Sequence, residues 1–149
     1  MRACDLMTCH PRAVTLGDPL SRAAEIMRDD DVGMVPVVED MLSMRLKGVI
    51  TDRDIVVRCV APRHGAFCNV GAHLTREPLV AVLPEADVDE VMALMKENQV
   101  RRVLVTEHGR LRGVIALADL VRLAGPLEPL QLEAVLEGVS APSHALAAA

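Results

Sequence analysis

Leu46-Lys47-Gly48-Val49-Ile50 and Leu111-Arg112-Gly113-Val114-Ile115 are one pentapeptide pattern written twice, 65 residues apart (46 to 111). Each runs straight into a helix opening that carries an acid, Asp54 in the first copy and Asp119 in the second. Self-similarity at such a period marks a duplicated supersecondary unit rather than one continuous domain. Upstream of the pentapeptides, Val35-Pro36-Val37-Val38 matches Val103-Leu104-Val105-Thr106. Further upstream, Leu20, Ala23, Ala24 and Met27 repeat the spacing of Val88, Val91, Met92 and Met95. Both sets follow the i, i+3, i+4, i+7 rule for one buried helical face. Thr8-Cys9-His10-Pro11 matches Thr75-Arg76-Glu77-Pro78 and completes the period.

The order within each copy is therefore short strand, helix, strand, strand, helix. Asp18-Pro19 reads as N-cap followed by Pro at the first helical position. Asp87 with Glu90 reads as a capping box. Gly33 and Asn98 punctuate the passage from helix to strand. The hairpin from Asp40 to Lys47 is longer than its counterpart, His108-Gly109-Arg110. These signals set the organisation as repeat one over 1–60, a linker over 61–69 with Pro62, Gly65 and Asn69, and repeat two over 70–125. Residues 126–149, after Gly125-Pro126, hold an amphipathic helix from Leu127 to Val139 with Leu130, Ala134 and Val135. An Ala-rich, loosely held tail follows from Ser140. A sheet with two helices at about 60 residues has a marginal core alone, so the doublet is the expected folding unit.

Composition narrows the function. The 149 residues are 51% hydrophobic, with one Phe (Phe67), no Tyr, no Trp and eight Met, so aliphatic and Met side chains must fill the interior. The net charge of −5 argues against a nucleic-acid partner, which needs a basic face. Scarce aromatics argue against base stacking on single strands. Fourteen of 16 basic residues are Arg, the side chain suited to bidentate phosphate contact. No membrane-spanning run is present, and the N-terminus has no signal-peptide core, so a cytoplasmic location is expected. The four cysteines form no CxxC pair and read as free thiols. No nucleophile elbow, P-loop or HExxH motif occurs, so catalysis is not expected.

The repeated pattern resembles the CBS domain family over residues 2 to about 125. The resemblance rests on Leu6-Met7-Thr8-Cys9-His10-Pro11, Met34-Val35-Pro36-Val37-Val38 and Gly48-Val49-Ile50-Thr51-Asp52-Arg53-Asp54-Ile55 in the first copy. In the second it rests on Val100-Arg101-Arg102-Val103-Leu104-Val105 and Gly113-Val114-Ile115-Ala116-Leu117-Ala118-Asp119-Leu120. Each motif is weak alone; in order and twice they are strong. Size and tail are most similar to small stand-alone bacterial two-CBS proteins. The resemblance implies an α/β fold of two tandem β-α-β-β-α repeats packed sheet to sheet as one pseudo-twofold module, plus the C-terminal helix. It also implies a homodimer, and a ligand such as AMP, ATP, NAD or S-adenosylmethionine in the cleft between repeats.

Thr51-Asp52-Arg53-Asp54 is where such a ligand would sit. As local structure it is a capping box, with the Thr51 hydroxyl on a backbone N–H and Asp54 closing the box. A strand-to-helix turn also exposes backbone donors to a phosphorylated ligand. An acid there repels phosphate but suits the two hydroxyls of a ribose. The resemblance gives Asp54 this ribose role, with Thr51 beside it. Arg53, Arg101 and Arg102 are candidate phosphate contacts or plain surface charges. Alternation puts Arg101 and Arg102 on opposite faces, so at most one is a primary contact. The family pattern places base contacts on the partner repeat: Thr75, Pro78 and Val100 for the Asp54 cleft; Thr8, Pro11 and Met34 for the Asp119 cleft. Ala116 stands where Thr51 stands, so the Asp119 cleft is the weaker of the two.

The remaining polar residues have simpler readings. Cys4, Cys9 and His10 with Cys68 or His73 match no zinc spacing, so no metal is expected. Asp29-Asp30-Asp31 reads as a solvated turn. Cys59 reads as a small core residue, and His64, His108 and His144 as solvent-facing. The expected function is a regulatory module with no required cofactor, binding an adenine nucleotide or adenosyl ligand and signalling to an unidentified protein partner by population shift. The alternative is a ligand-free interaction protein with decayed sites.

Overall fold

The computed structural model describes residues 1–65, 67–122 and 129–140, the side chains of 129–131 excepted. Several expectations lie outside the described residues: Gly125-Pro126, the side chain of Leu130, and the tail beyond Ser140 with His144. The elements are α1 (Ala3–Leu6), β1 (Thr8–Cys9), β2 (Val14–Thr15), α2 (Leu20–Asp30), β3 (Met34–Val38), β4 (Leu46–Thr51) and α3 (Asp52–Ile55). A π-helical stretch, Val56–Val60, continues α3, and a 3₁₀ turn spans Val70–Ala72. Then come β5 (Ala81–Val82), α4 (Val88–Asn98), β6 (Arg102–Glu107), β7 (Arg110–Ala116), α5 (Leu117–Arg122) and the C-terminal helix α6 (Pro129–Ser140). The mixed α/β architecture and the terminal helix are those the sequence implies. Among the described residues no helix is long and apolar enough to cross a membrane.

The chain forms two compact units that do not follow the repeats in simple succession. One holds His10–Leu79 and His108–Leu111; the other holds Met1–Cys9, Val80–Glu107 and the described residues from Arg112 on. In the first unit the sheet order is β2-β3-β4, with β2 parallel and β4 antiparallel to β3. Its core is Val14, Leu20, Ala23, Ile26, Val35, Val37, Ile50, Cys59, Val70 and Leu74. In the second the order is β1-β7-β6-β5. Its core includes Val88, Val91, Met92, Met95, Val103, Val105, Ile115 and Leu120, closed by Val135 and Val139 of α6. Phe67 is 93% exposed, so neither core contains a Phe, Tyr or Trp ring.

The sequence repeats exchange short edge segments, and each exchanged segment pairs within a single unit. Thr8 and Cys9 pair with Val114 and Gly113 of β7, and Thr75 bridges to Val49 of β4. Gly48 and Gly113 permit these approaches. A Cβ on Gly48 would lie 2.5 Å from the Thr75 carbonyl oxygen, and one on Gly113 would lie 2.5 Å from the Met7 sulfur. The N-terminal segment is tied to its unit by Ala3 N–H to Ala86 O and Cys4 N–H to Pro84 O.

Local signals were met unevenly. Val88, Val91, Met92 and Met95 are all buried. In α2 the buried set is Leu20, Ala23 and Ile26, while Ala24 faces outward. The larger apolar area of Ile26 outweighs the methyl of Ala24, so the buried face is rotated from the expected one. The N-cap of α2 is Pro19, not Asp18; the Asp18 carboxylate instead accepts the Thr15 N–H at 2.7 Å. Asp87 caps α4 by accepting from Asp89 N–H, two residues on, in place of the expected box with Glu90. The left-handed helix ends are Asp31 and Gln99 rather than Gly33 and Asn98. Gly33 is small for a packing reason, since its Cβ would meet Asp52 Oδ2 at 3.0 Å. The tight turn between β6 and β7 has positive φ at both His108 and Gly109, the requirement of a two-residue hairpin.

Candidate functional site

Thr51 ends β4 in extended conformation and caps α3. Its Oγ1 accepts the Asp54 N–H at 3.1 Å, and Asp54 Oδ2 accepts the Thr51 N–H at 3.0 Å. The reciprocal box fixes the Asp54 rotamer. Thr75 then reaches the same carboxylate, donating from Oγ1 at 3.2 Å to Oδ2 and 3.3 Å to Oδ1. Arg58, one turn on, places Nε 3.6 Å from Asp54 Oδ1, and its Nη1 donates to the carbonyls of His73 and Leu74. One guanidinium thus joins the acid to the segment that delivers Thr75. Asp54 is 8% exposed, and a carboxylate that buried requires such partners. Thr51, Asp54 and Thr75 are therefore brought together, and Arg58, which sequence reasoning passed over, completes the group. Its i, i+4 spacing from Asp54 was the available signal.

Arg53 lies on the exposed side of α3 and makes no ion pair among the described residues. Pro78 follows a cis peptide bond from Glu77. An open hollow of about 570 Å³ lies against Arg76, Glu77, Pro78 and Leu79, within the usual volume range of ligand pockets.

The second acid is less well furnished. Asp119 Oδ2 accepts the Ala116 N–H at 2.8 Å, which is half of a capping box. No hydroxyl returns the bond, and Arg122 approaches Asp119 only to 4.0 Å. Thr8, in the same unit, is exposed and does not bond to Asp119 among the described residues. Val100 packs against the core of that unit. Arg101 is exposed and Arg102 begins β6. Pro11 and Met34 belong to the other unit, where Met34 pairs with Thr51.

A second constellation was missed. Cys59, Cys68 and His73 each offer a ligand atom, and these atoms lie within 4.8 Å of one another. Cys59 and His73 are buried and Cys68 is half-buried. Burial pushes the Cys59 thiol up from its ordinary value, and the neighbouring Cys68 adds to the shift. The His64 ring lies 5.5 Å from the His73 ring, centroid to centroid. Cys59 is a core residue as expected, but it is more than that. Cys4, Cys9 and His10 are exposed and take no part in this group. The readable signal was the spacing Cys59-x4-His64-x3-Cys68-x4-His73 within one short segment.

Comparison with known proteins agrees with this architecture. The CBS domain family model matches residues 3–60 and 70–125. YlbB of Bacillus subtilis, an uncharacterized protein, is 39% identical over 116 residues, covering 78% of this chain and 77% of its own. The crystal structure of Hypoxic Response Protein I with two coordinated zinc ions is 32% identical, with a TM-score of 0.72, covering 82% of this chain and 98% of that one. The crystal structure of CBSX2 in complex with AMP shares the fold at 24% identity and a TM-score of 0.72, covering 85% of this chain and 98% of that one. With two matched domains in tandem and relatives aligned over most of their length, this chain belongs to the CBS domain family.

Proposed function

We propose that this chain is a non-catalytic regulatory module that binds an adenine nucleotide or adenosyl ligand at Asp54 and signals to a protein partner by a shift in conformation. The observation that carries the reading is the Asp54 carboxylate, nearly buried and held in one orientation by Thr51 and Thr75. An oriented acceptor of that kind suits the paired hydroxyls of a ribose. Asp54 exchanges its Thr75 bonds for bonds to the sugar, so binding loosens Thr75 and the segment behind it. That exchange is the differential contact a conformational signal requires. Arg53, exposed and without an ion pair among the described residues, serves the phosphate. Pro78, beside the open hollow, and the neighbouring aliphatic side chains take the base. The AMP complex of CBSX2 is a precedent at the level of the fold. Asp119, with half a box and no hydroxyl, binds more weakly, with Arg101 or Arg102 as its phosphate contact. Exposed Val56, Val57 and Val60 offer an apolar surface for a homodimer.

Thermal shift and calorimetric titration with AMP, ATP, NAD and S-adenosylmethionine test the reading, with native mass spectrometry for bound ligand and oligomeric state. At least one ligand should bind, and Asp54→Ala should weaken it at least tenfold (~1.4 kcal/mol). Silence from all four ligands at millimolar concentration would instead favour a ligand-free interaction protein.

A further inference from the structure

We propose that Cys59, Cys68 and His73 form a structural zinc site, with His64 as the fourth ligand. The donor set points to the metal. Two sulfurs and imidazole, with no carboxylate, suit zinc and not calcium or magnesium. A tetrahedral site with Zn–S of about 2.3 Å and Zn–N of about 2.0–2.1 Å sets its ligand atoms roughly 3.4–3.8 Å apart. The three ligand atoms already lie within 4.8 Å of one another, so closing on an ion takes a movement of about an ångström. Two imidazoles on one such ion have ring centroids about 5.2 Å apart by the same geometry. The His64 and His73 rings stand at 5.5 Å.

The scaffold presents these groups from well-anchored backbone. Cys59 lies in the π-helical stretch, a geometry often found at functional positions. His64 N–H donates to the Cys59 carbonyl at 2.9 Å, which folds the chain back over the cysteine. Arg58 grips the His73 carbonyl and holds the far side. The His73 ring is buried, and a ring nitrogen lies within 4.8 Å of both sulfurs, where a metal would meet it. The Cys59 thiol points at the carbonyls of His64 and Gly65, both at 3.9 Å. Zinc entry displaces two thiol protons to solvent, leaving two thiolates on the ion. With four protein ligands the site is closed, which is the structural rather than the catalytic type. It clips the segment after the first repeat to the segment that carries Thr75.

The site stands apart from the nucleotide reading and is tested without nucleotide. The whole protein is stripped with chelator under reducing conditions, then titrated with zinc chloride against a chromophoric competitor. Cobalt(II) is substituted in parallel. One zinc per chain, a raised melting temperature and the absorption of a tetrahedral thiolate–cobalt centre are expected. Cys59→Ser risks the core, so the primary variant is Cys68→Ser, where the residue is half-buried, with the exposed His64→Ala beside it. Cys68→Ser should lose more than the roughly 10–100-fold affinity that an outer-shell partner contributes, and His64→Ala should weaken binding and shift the cobalt spectrum as water takes the fourth position. Zinc binding unchanged in Cys68→Ser overturns the site. So does a wild-type protein that takes up no zinc at micromolar concentration, or one that forms a Cys59–Cys68 disulfide on isolation and never holds metal.

Discussion

Asp54 and Asp119 occupy matching places in the two repeats, yet only one sits in a finished network. Asp54 closes a full capping box, receives Thr75 and lies near Arg58. Among the described residues Asp119 receives a single backbone N–H, and its arginine stands farther off. The exchanged edge segments are equivalent too, since Thr8 occupies on β7 the place that Thr75 occupies on β4. Duplication has kept the backbone on both sides and kept the polar chemistry on one. Backbone geometry is maintained by glycines and apolar packing, which tolerate little change. A hydroxyl at a helix cap is worth only about 1 kcal/mol, so its loss from one copy leaves the fold standing.

The comparison breaks most directly with Asp54→Ala against Asp119→Ala. The first strands the Thr75 hydroxyl and the Thr51 N–H, and should cost about 2–3 kcal/mol; the second frees one backbone donor and should cost about 1 kcal/mol. Urea denaturation midpoints decide, and equal losses would erase the asymmetry. A gain of function sharpens it. Ala116→Thr should rebuild the second box and stabilise the protein by about 0.5–1 kcal/mol, read as a raised melting temperature. No gain would mean that the backbone at 116 does not present a capping hydroxyl.

The smallest effect concerns the two hairpins. Asp40 accepts from the Ser43 N–H and hydroxyl and from the Leu42 N–H, and these bonds hold its carboxyl below the usual aspartate value. The folded value is the lower one, so this contribution is present above the unfolded value of about 3.9. It is lost as pH falls through the folded value. Asp40→Asn should flatten the acid limb of the stability profile, measured by thermal melts between neutral and acid pH. The His108–Gly109 turn has no such acid, and His108→Asn should leave that limb unchanged.

The repeats were legible because apolar periodicity recurs with the same punctuation, and because burial follows periodicity wherever the side chains are comparable in size. Ala24 and Ile26 show the failure of that rule: spacing alone does not weigh a methyl against a sec-butyl group. The exchange of edge segments was not legible. A two-residue strand such as Thr8–Cys9 has too few residues to show a period, and its partner is chosen by tertiary structure. At the site, Thr51 and Asp54 were legible through the capping box. Thr75 was placed by family pattern, and Arg58 was missed because its contacts with His73 and Leu74 span a loop. The cysteine–histidine group was spelled out in the spacing, but a helix ending in a turn and a 3₁₀ segment had to fold back before those residues could meet.

The pairing of Thr8 with Val114 also sets a schedule for synthesis. Thr8 leaves the ribosome more than a hundred positions ahead of its partner. At about 5–20 residues per second, the N-terminal segment waits roughly 5–20 s for the strand it completes. The unit from His10 to Leu79 needs only the short return of His108–Leu111 and can assemble largely during that wait. The newborn chain therefore holds Thr8 unpaired while one unit nearly finishes, and the edge it completes closes late.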